Sequence, residues 1–231
     1  MKKCVIIPSY NEIENMQMLL PTLMGLDSEF DVLIVDDSSP DGTGGFVQEF
    51  AAQNKRVHLL TRAKKEGLGK AYIAGFKWCL EKGYDVITQM DADFSHRPVD
   101  LERILKKIPE KDFIIGSRYV PGGQVENWGL IRKMISRGGS LYSRLILGFP
   151  TRDWTGGFNT WKAKILQEIG LDTIVSNGYS FQIELKYKAQ KKGYVAFEEP
   201  IVFADRRVGQ SKMSLKIVLE AFYKVWLIRY I

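Results

Sequence analysis

The fold class of this chain follows from residues 4–12, which read Cys-Val-Ile-Ile-Pro-Ser-Tyr-Asn-Glu. The first five residues are almost all apolar, which is typical of a strand that is buried on both faces of a sheet. Polar residues come next, and over residues 12–23 apolar side chains then recur on one helical face. A buried strand that leads directly into an amphipathic helix is the basic unit of an α/β protein.

The same alternation repeats through the first half of the chain. Apolar runs predict strands over residues 31–37, 57–60, 85–91 and 113–116, and helical patterns predict helices over residues 42–53, 68–82 and 99–107. Strands that alternate with helices predict a mostly parallel sheet with helices on both faces. Ligands of such sheets bind at the carboxyl ends of the strands, so functional residues are expected there.

The second half of the chain has a looser pattern. It predicts a loop over residues 119–128, a pair of basic amphipathic helices over residues 130–147 with a break at Gly138-Gly139, a helix over residues 178–189, a strand over residues 195–203 and an apolar helix over residues 215–231. No stretch reads as a linker or an internal repeat. We therefore expect one domain over residues 1–212, to which an amphipathic C-terminal helix over residues 213–231 belongs.

Composition excludes several classes of protein. Of the 231 residues, 45% are hydrophobic, which excludes a disordered or collagen-like chain. With only two cysteines, Cys4 and Cys79, the chain is neither a disulfide scaffold nor a four-cysteine zinc protein. Their apolar surroundings favour reduced thiols in a cytosolic protein. The sequence contains no run of 18 uncharged apolar residues, so no transmembrane helix is expected.

The charge is distributed unevenly along the chain. The net charge of +6 combines −3 over residues 1–117 with +9 over residues 118–231. Such asymmetry predicts that the second half meets an anionic partner, which is a nucleic acid, a phosphate group or a membrane surface. The basic residues cluster on apolar helices and on one loop instead of alternating with aromatic residues over one face, which argues against nucleic acid.

The first two predicted strands end in residues that suit a nucleotide. The first does not run into the G-x-G-x-x-G pattern of dinucleotide-binding proteins; instead Tyr10 can stack on a base and Glu12 can accept hydrogen bonds from a base or a ribose. The pair Asp36-Asp37, at the end of the second strand, can bind a ribose hydroxyl or base donors. The simpler alternatives are a strand–helix turn capped by Ser9 or Asn11, and a turn built by Asp36-Asp37 and its neighbours. Both interpretations are open at this level.

A second acidic pair, Asp91-Ala92-Asp93, follows the fourth predicted strand. Along an extended chain, residues i and i+2 point the same way, so the two carboxylates are expected on one side. Like charges at that spacing are unfavourable unless a cation lies between them. Oxygen ligands suit Mg²⁺ or Mn²⁺, which bridge to substrate phosphates. The alternative is a capping cluster for the helix that starts near Val99.

The last chemically suggestive stretch is residues 203–212, Phe-Ala-Asp-Arg-Arg-Val-Gly-Gln-Ser-Lys. Arginine and lysine around a glycine-containing loop can fold over a diphosphate and neutralise it, although a solvated basic loop has the same composition. Together, a nucleotide-like pocket, a metal pair and a basic loop predict a site for a nucleotide sugar.

At this point the chain resembles a known family. The motifs that carry the resemblance are residues 8–12 (Pro-Ser-Tyr-Asn-Glu), 35–43 (Val-Asp-Asp-Ser-Ser-Pro-Asp-Gly-Thr), 67–71 (Gly-Leu-Gly-Lys-Ala), 90–98 (Met-Asp-Ala-Asp-Phe-Ser-His-Arg-Pro), 116–119 (Gly-Ser-Arg-Tyr), 131–136, 178–182 (Gly-Tyr-Ser-Phe-Gln) and 203–212. In this order they resemble the family 2 glycosyltransferases of the GT-A (Rossmann-like) fold, and among these the polyprenol-phosphate (dolichol-phosphate) mannose synthases. The resemblance covers nearly the whole chain.

The resemblance implies a role for each matching residue. The guanosine end of GDP-mannose would be held by Pro8, Tyr10, Glu12, Val35 and Asp37, and the sugar diphosphate by Asp91, Ala92 and Asp93, with Asp91 and Asp93 on Mg²⁺ or Mn²⁺. Ser95 stands where many relatives carry a glutamine as third metal ligand. The lipid phosphate would be gripped by Arg118, Arg132 and Ser136. Arg206 and Lys212 would close over the diphosphate, and Gln182 would also contact substrate. The residues expected to act in catalysis itself are Asp93, Arg118, Arg132 and Arg206.

The implied reaction is the transfer of mannose from GDP-mannose to a polyprenyl or dolichyl monophosphate, with inversion at the sugar carbon. The acceptor phosphate has a second pKa of about 6, so it needs no general base. The implied location is cytoplasmic, peripheral to the cytosolic face of a membrane, with the amphipathic helices in the interface and with small membrane-anchoring subunits as further partners. Nucleic acid is not an expected partner.

Three alternatives stay open. A relative could use UDP-glucose as donor and polyprenyl phosphate as acceptor, or could be a polysaccharide synthase, which needs a base for a sugar hydroxyl. Glu126 and Asp153 are acids without an assigned role that could serve as that base. A protein of a different class, a non-catalytic nucleotide-sugar-binding subunit, would tolerate neutral residues at Asp91 and Asp93.

Overall fold

The structure is a computed structural model that describes residues 1–204 and 215–230, leaving out the side chains of residues 215–221. The strands are β1 (Lys3–Ser9), β2 (Asp31–Asp36), β3 (Val57–Thr61), β4 (Val86–Gln89), β5 (Phe113–Ser117), β6 (Gln124–Val125), β7 (Asn159–Lys162), β8 (Ala196–Pro200) and β9 (Val202–Phe203). The helices are α1 (Ile13–Met24), α2 (Thr43–Gln53), α3 (Leu68–Glu81), α4 (Pro98–Lys107), α5 (Leu130–Leu147), α6 (Ala163–Glu168), α7 (Gly178–Lys191) and α8 (Leu215–Arg229). The predicted alternation of strands and helices in the first half is confirmed.

Within these residues one sheet has seven strands in the order β3-β2-β1-β4-β7-β5-β8. Its neighbours are parallel except around β7, which runs antiparallel to both β4 and β5. The sequence pattern does not predict β7, because Asn-Thr-Trp-Lys is short and mostly polar. Its polar side chains find partners across the sheet instead, where the hydroxyls of Thr88 and Thr160 lie 2.9 Å apart. The prediction of a mostly parallel sheet is confirmed.

The register of the central strands brings their carboxyl ends to one edge of the sheet. Ser9 at the end of β1 pairs with Asp36 at the end of β2. On the other side of β1, Ile6 pairs with Gln89, the last residue of β4. The polar segments that follow these strands therefore emerge next to one another.

Each face of the sheet supports a separate hydrophobic core. Val5 and Ile7 of β1 face a core with α1, α2 and α4, whereas Cys4 and Ile6 face a core with α3, α6 and α7. Gly75 of α3 lies against β1 so closely that a Cβ added to it would be 2.8 Å from the Ile6 side chain. A glycine is therefore needed for this helix to approach the sheet. Both cysteines are free and buried in the second core, in agreement with the prediction of reduced thiols.

Two predictions for the second half of the chain are wrong. Instead of the predicted helix pair, the structure has one continuous helix, α5. Its other side is held against the domain by the buried residues Ser136, Ser140 and Ser143, whereas no described atom lies within 4 Å of an added Cβ at Gly138 or Gly139. The predicted strand over residues 195–203 is two strands. The chain leaves the main sheet at Pro200, which has no N–H for the ladder, and β9 pairs with β6 inside the segment predicted to be a loop.

Helix α8 packs against α5 and α7. Val225 and Ile228 are buried in a third apolar cluster whose other members are Ile146, Leu147, Trp154, Ile183 and Tyr187. The Tyr187 hydroxyl also donates a hydrogen bond of 2.9 Å to the carbonyl of Arg229. None of the helices in residues 1–204 and 215–230 is long and apolar enough to cross a membrane.

Candidate active site

The adjacent acids at the end of β2 have different environments. Asp36 is buried and accepts hydrogen bonds from the Ser9 hydroxyl at 2.9 Å and from the backbone N–H and hydroxyl of Ser39 at 2.9 and 2.5 Å. Asp37 instead pairs with the guanidinium of Arg62 at 2.8 Å. Burial raises the pKa of Asp37, and Arg62 opposes that shift. Asp36 therefore anchors the turn, whereas Asp37 is held by Arg62 and not by the turn.

The turn after β1 is tied to the turn after β2. The side chains of Ser39, Thr43 and Asp41 accept hydrogen bonds from the backbone N–H groups of Asn11, Glu12 and Ile13, respectively. Neither Ser9 nor Asn11 caps α1, because the N–H of Ile13 reaches Asp41 and the Ser9 hydroxyl is engaged with Asp36. The capping alternative for this segment is wrong.

The predicted nucleotide-binding residues surround these turns. Tyr10 is half-buried, with the ammonium of Lys65 3.7 Å from the centre of its ring. Glu12 accepts a hydrogen bond of 2.6 Å from Asn15. Pro8 is half-buried, whereas the side chain of Val35 is fully buried in the sheet–helix core. Only the backbone of Val35 can face a ligand.

The second acidic pair lies in a loop and not in a strand. Strand β4 ends at Gln89, two residues before the predicted end, and Phe94 has a left-handed backbone with φ of 61°. Asp93 accepts hydrogen bonds from the backbone N–H and hydroxyl of Ser95 at 3.1 and 2.6 Å. Asp91 lies 3.4 Å from the hydroxyl of Tyr72. The expectation of two acids on one extended strand is corrected to a compact turn that holds both acids.

These residues offer only oxygen atoms to a cation. Carboxylates from Asp91 and Asp93 and the hydroxyl of Ser95 are the kinds of ligand that Mg²⁺ and Mn²⁺ accept together with water and phosphate oxygens. The described residues contain no cluster of three or more His, Cys, Asp or Glu side chains arranged for a metal. A divalent ion at this turn would therefore complete its coordination with water or substrate.

A histidine that the sequence analysis left without a role supports this turn. His96 is buried, stacked on Phe158 with ring centres 4.6 Å apart, and its Nδ1 accepts a hydrogen bond of 3.0 Å from the N–H of Asp91. Burial lowers the pKa of His96, although Asp91 and Asp93 oppose the shift. The neutral ring therefore carries its proton on Nε2 and fixes the backbone of Asp91.

At the other end of the site, Arg118 forms a two-point ion pair with Asp153. Its Nε and Nη2 donate hydrogen bonds of 2.8 and 2.7 Å to the two carboxylate oxygens, and its backbone N–H donates a third. Burial alone would raise the pKa of Asp153, but Arg118 holds it below its usual value. Asp153 is thus engaged by Arg118 and is not a candidate base.

The segment that carries Asp153 is itself held by two other charged side chains. Lys186, fully buried in α7, donates hydrogen bonds of 2.9, 3.2 and 2.8 Å to the carbonyls of Asp153, Trp154 and Gly156. Glu198 of β8 accepts a hydrogen bond of 2.9 Å from the N–H of Asp153. Burial lowers the pKa of Lys186 to about 7, and Asp153 opposes this shift.

The three residues predicted to hold a lipid phosphate lie around two aromatic rings. The guanidinium carbon of Arg132 is 3.9 Å from the centre of the Trp128 ring, and that of Arg118 is 5.7 Å from the same ring. The Tyr119 hydroxyl donates a hydrogen bond of 2.6 Å to the hydroxyl of Ser136. The tertiary structure therefore brings Arg118, Arg132 and Ser136 together.

One aromatic ring connects this cluster to the acidic turn. Phe203 lies 5.3 Å from the ring of His96 and 5.5 Å from the guanidinium carbon of Arg118. Since His96 contacts Asp91, the Phe203 ring links the acidic turn to the arginine cluster. The two predicted halves of the site are neighbours.

Comparison with known proteins decides the family. Residues 4–170 match the family described as Glycosyl transferase family 2. The chain belongs to this family. Two relatives of the glycosyltransferase cover nearly its whole length. It is 49% identical to Undecaprenyl-phosphate mannosyltransferase of Micrococcus luteus, and the aligned 225 residues cover 97% of this chain and 93% of the relative. It is 44% identical to Polyprenol monophosphomannose synthase of Mycolicibacterium smegmatis, and the aligned 229 residues cover 97% of this chain and 86% of the relative.

Among solved structures, the glycosyltransferase resembles a mannosyltransferase from Pyrobaculum calidifontis in complex with GDP-Man and Mn²⁺. The TM-score is 0.59 at 16% identity, over 99% of this chain and 73% of that chain. This likeness confirms the predicted GT-A fold. The family predicted from the ordered motifs is confirmed as well, and the chain is a glycosyltransferase.

Some residues around the candidate site of this glycosyltransferase have no role implied by the sequence, and two predicted ones are not described by the structure. Arg206 and Lys212 fall outside the described residues. Trp128, His96 and Lys186 were not predicted to belong to the site, and Asp153 was noted only as an acid without a role. Lys186 gives no sequence signal, because a lysine in a helical pattern is normally solvent-exposed. Gln182 Nε2 and Asp91 Oδ1 lie 3.5 and 4.0 Å, respectively, from the position that a Cβ of Gly157 would take.

Proposed function

We propose that this glycosyltransferase transfers mannose from GDP-mannose to a polyprenyl monophosphate, with inversion at the anomeric carbon. The observation that carries the proposal is the arginine cluster of Arg118, Arg132 and Ser136 beside the acidic turn. An anionic acceptor needs such a cluster, whereas a sugar hydroxyl does not. The names of the two close relatives support the same donor sugar and the same kind of acceptor.

At the donor end, Tyr10, Glu12 and Asp37, with Pro8 and the backbone of Val35, hold the guanosine. Glu12 and Asp37 are carboxylates, which accept hydrogen bonds from base or ribose donors. Arg62 beside Asp37 favours the charged form and so opposes the rise in pKa that burial causes. Binding the nucleoside at this edge places its diphosphate towards the turn formed by Asp91, Ala92 and Asp93.

Asp91 and Asp93, with Ser95 beside Asp93, would hold Mg²⁺ or Mn²⁺ against the diphosphate. When bound, the ion supplies positive charge where negative charge develops on the leaving nucleoside diphosphate. Arg206 and Lys212, which lie outside the described residues, keep the implied role of covering the diphosphate. The His96 ring keeps the Asp91 backbone in position for this contact.

At the acceptor end, Arg118 and Arg132 bind and orient the lipid phosphate behind the sugar carbon. Arg118 is held by Asp153 and Arg132 by the Trp128 ring, so both cations are positioned before the acceptor arrives. Ser136 accepts a hydrogen bond from Tyr119 and can donate its own proton to the phosphate. The phosphate is already ionised near neutral pH, so no residue has to remove a proton.

The proposed location is the cytosolic face of a membrane. Residues of α5 that are exposed in the structure include Leu130, Ile131, Met134 and Leu145, with up to 79% of the residue surface accessible. Lys133, Arg137 and Arg144 of the same helix add positive charge. Exposed aromatic side chains of α8 extend this surface, because the Trp226 N–H donates to the Tyr142 hydroxyl of α5 at 2.9 Å. Such a surface suits an anionic bilayer interface.

Small membrane-anchoring subunits remain a sequence-based proposal, as does the division into a domain over residues 1–212 and a helix over residues 213–231.

The test is transfer of labelled mannose from GDP-mannose to a short-chain polyprenyl phosphate in detergent. Transfer that is lost with EDTA and restored by Mg²⁺ or Mn²⁺ is expected. Arg132→Gln should raise the KM for the acceptor, whereas Arg144→Gln, an exposed arginine of the same helix, should not. Transfer from UDP-glucose but not from GDP-mannose, or binding of GDP-mannose without any transfer, would overturn the proposal.

A further inference from the structure

Three buried amide side chains form a chain between β4, β7 and α7. Asn159 Nδ2 donates hydrogen bonds of 3.2 Å to Gln89 Oε1 and 3.0 Å to Gln182 Oε1. It also lies 3.3 Å from the carbonyl of Gly156, and the indole N–H of Trp161 donates to Gln89 Oε1 at 3.0 Å. Gln89, Asn159 and Gln182 are all almost fully buried.

The orientation of each amide follows from partners whose roles are fixed. An indole N–H can only donate, so the atom of Gln89 that faces Trp161 is its oxygen. A carbonyl can only accept, so the atom of Asn159 that faces Gly156 is its nitrogen. Gln182 must therefore present its oxygen to Asn159, and its Nε2 points away from the amide chain.

Nε2 of Gln182 lies beside Gly157, where an added Cβ would fit at ordinary contact distances. A Cβ added to Gly157 would be 3.5 Å from Gln182 Nε2, 4.0 Å from Asp91 Oδ1 and 4.0 Å from His96 Cε1. Gly157 itself is partly exposed. Within the described residues Nε2 has no hydrogen-bond partner, although only 2% of Gln182 is exposed. A buried donor without a partner is costly, and the position of this one beside Gly157 and the acidic turn points to a ligand group there.

We propose that Gln182 Nε2 donates a hydrogen bond to a hydroxyl of the hexose that is transferred, and that Gly157 provides the space for that hydroxyl. This inference rests on the proposed function. The two groups that flank the space are a donor, Gln182 Nε2, and an acceptor, Asp91 Oδ1. A hydroxyl can accept from one and donate to the other, whereas an ionised phosphate oxygen can only accept. Gln182 is therefore a residue that determines sugar specificity, and the Asn159 amide positions it.

Two variants test the contact. Gln182→Met has a similar length and removes the donor. Gly157→Ala puts a methyl group into the space at ordinary contact distances, and no left-handed backbone at Gly157 opposes the substitution. Gly45→Ala, in an exposed part of α2 with nothing nearby, is the matched control. Thermal unfolding of each variant establishes that it is folded, and Gly157→Ala carries the test if Gln182→Met is not.

The readouts are calorimetric affinities for GDP and for GDP-mannose, and kcat/KM with GDP-mannose and with its monodeoxy analogues. Both site variants should lose about 10-fold in kcat/KM with GDP-mannose, the size expected for one hydrogen bond between uncharged groups, and keep the GDP affinity of the wild type. The wild type should lose a similar factor with one deoxy analogue. Gln182→Met should not distinguish that analogue from GDP-mannose, and Gly45→Ala should behave as the wild type.

Wild-type kcat/KM in Gln182→Met overturns the inference, as does a loss of GDP affinity equal to the loss of GDP-mannose affinity. Failure of the proposed function gives a different result. In that case the wild type transfers no mannose, and the same calorimetric comparison made with UDP and UDP-glucose still reports whether Gln182 contacts the sugar of the true donor.

Discussion

Asp153 and Arg118 are joined by two parallel hydrogen bonds of 2.7 and 2.8 Å, and a third bond runs from the backbone N–H of Arg118 to the same carboxylate. Both residues are buried, so neither partner can be satisfied by water in the absence of the other. The pair fixes the plane of a guanidinium that we propose to grip the acceptor phosphate. It also makes Asp153 a positioning residue, because it acts through Arg118 and touches no substrate in the proposed arrangement.

Asp153→Asn should therefore damage both stability and acceptor binding. Removal of one partner of a buried ion pair costs about 3–5 kcal/mol of the free energy of unfolding. The KM for polyprenyl phosphate should rise, and the affinity for GDP should stay the same. Urea unfolding and initial-rate kinetics measure these effects, with the exposed Asp27→Asn as control. An unchanged acceptor KM in a folded Asp153→Asn protein would contradict the positioning role.

Lys186 predicts a pH dependence of stability. Its pKa is about 7 in the folded chain and about 10.4 in an unfolded one. Between these values the unfolded chain binds a proton that the folded chain does not, so a rise in pH favours the folded state. The free energy of unfolding of the wild type minus that of Lys186→Met should increase from pH 6 to pH 9 in urea titrations. A difference that is constant over this range would mean that the three carbonyls keep the ammonium charged.

Trp128 should be needed for the position of Arg132. A cation over an indole ring contributes about 0.5–2 kcal/mol, so Trp128→Leu should lower kcat/KM for the acceptor about 3-fold to 30-fold. Trp128→Phe keeps an aromatic face and should retain part of the activity. The comparison of acceptor KM values in the two variants measures this effect. Equal activity of the Leu and Phe variants would show that the Trp128 ring supports Arg132 only through its size and not through its aromatic face.

The acidic turn predicts different effects for Asp93 and Ser95. Asp93→Asn should lower metal-dependent transfer by about 100-fold or more, because it removes an anionic ligand from the proposed ion. Ser95→Ala removes an uncharged oxygen and its 2.6 Å hydrogen bond to Asp93, and its effect should be about 10-fold or less. Titration with Mn²⁺ followed by electron paramagnetic resonance, in the presence of GDP, measures binding directly. Full metal-dependent transfer by Asp93→Asn would refute the metal assignment.

The exposed apolar face of α5 predicts vesicle binding. Met134→Gln combined with Leu145→Gln should lower the affinity for vesicles that contain anionic lipid, whereas Met18→Gln, an exposed methionine of α1, should not. Salt should weaken binding of the wild type, because Lys133, Arg137 and Arg144 contribute electrostatically. Sedimentation with vesicles at several salt concentrations tests both points. Equal binding of all variants would exclude α5 as the docking face.

Much of the fold could be predicted because local sequence patterns specify its strands and helices. The apolar runs that became β1 to β5 and the helical faces of α1 to α4 report burial on a sheet, and burial is a local property of the pattern. Strand β7 escaped prediction because its stability comes from pairs across the sheet, such as Thr88 with Thr160, and not from its own composition. The break predicted at Gly138-Gly139 was wrong because tertiary packing of one face of α5 outweighs the low helix propensity of two glycines.

By itself, the sequence determined the family, the chemistry of the acids at the strand ends and the set of basic residues suited to phosphate. Only the tertiary structure decided which of these residues lie together and which partners hold them. It showed Asp36 bonded to Ser9 and Asp37 paired with Arg62, and it placed Asp153 on Arg118 and Lys186 under the segment that carries Asp153. The physical reason is that ion pairs and hydrogen bonds between residues far apart in the chain depend on strand order and burial, which no local pattern records.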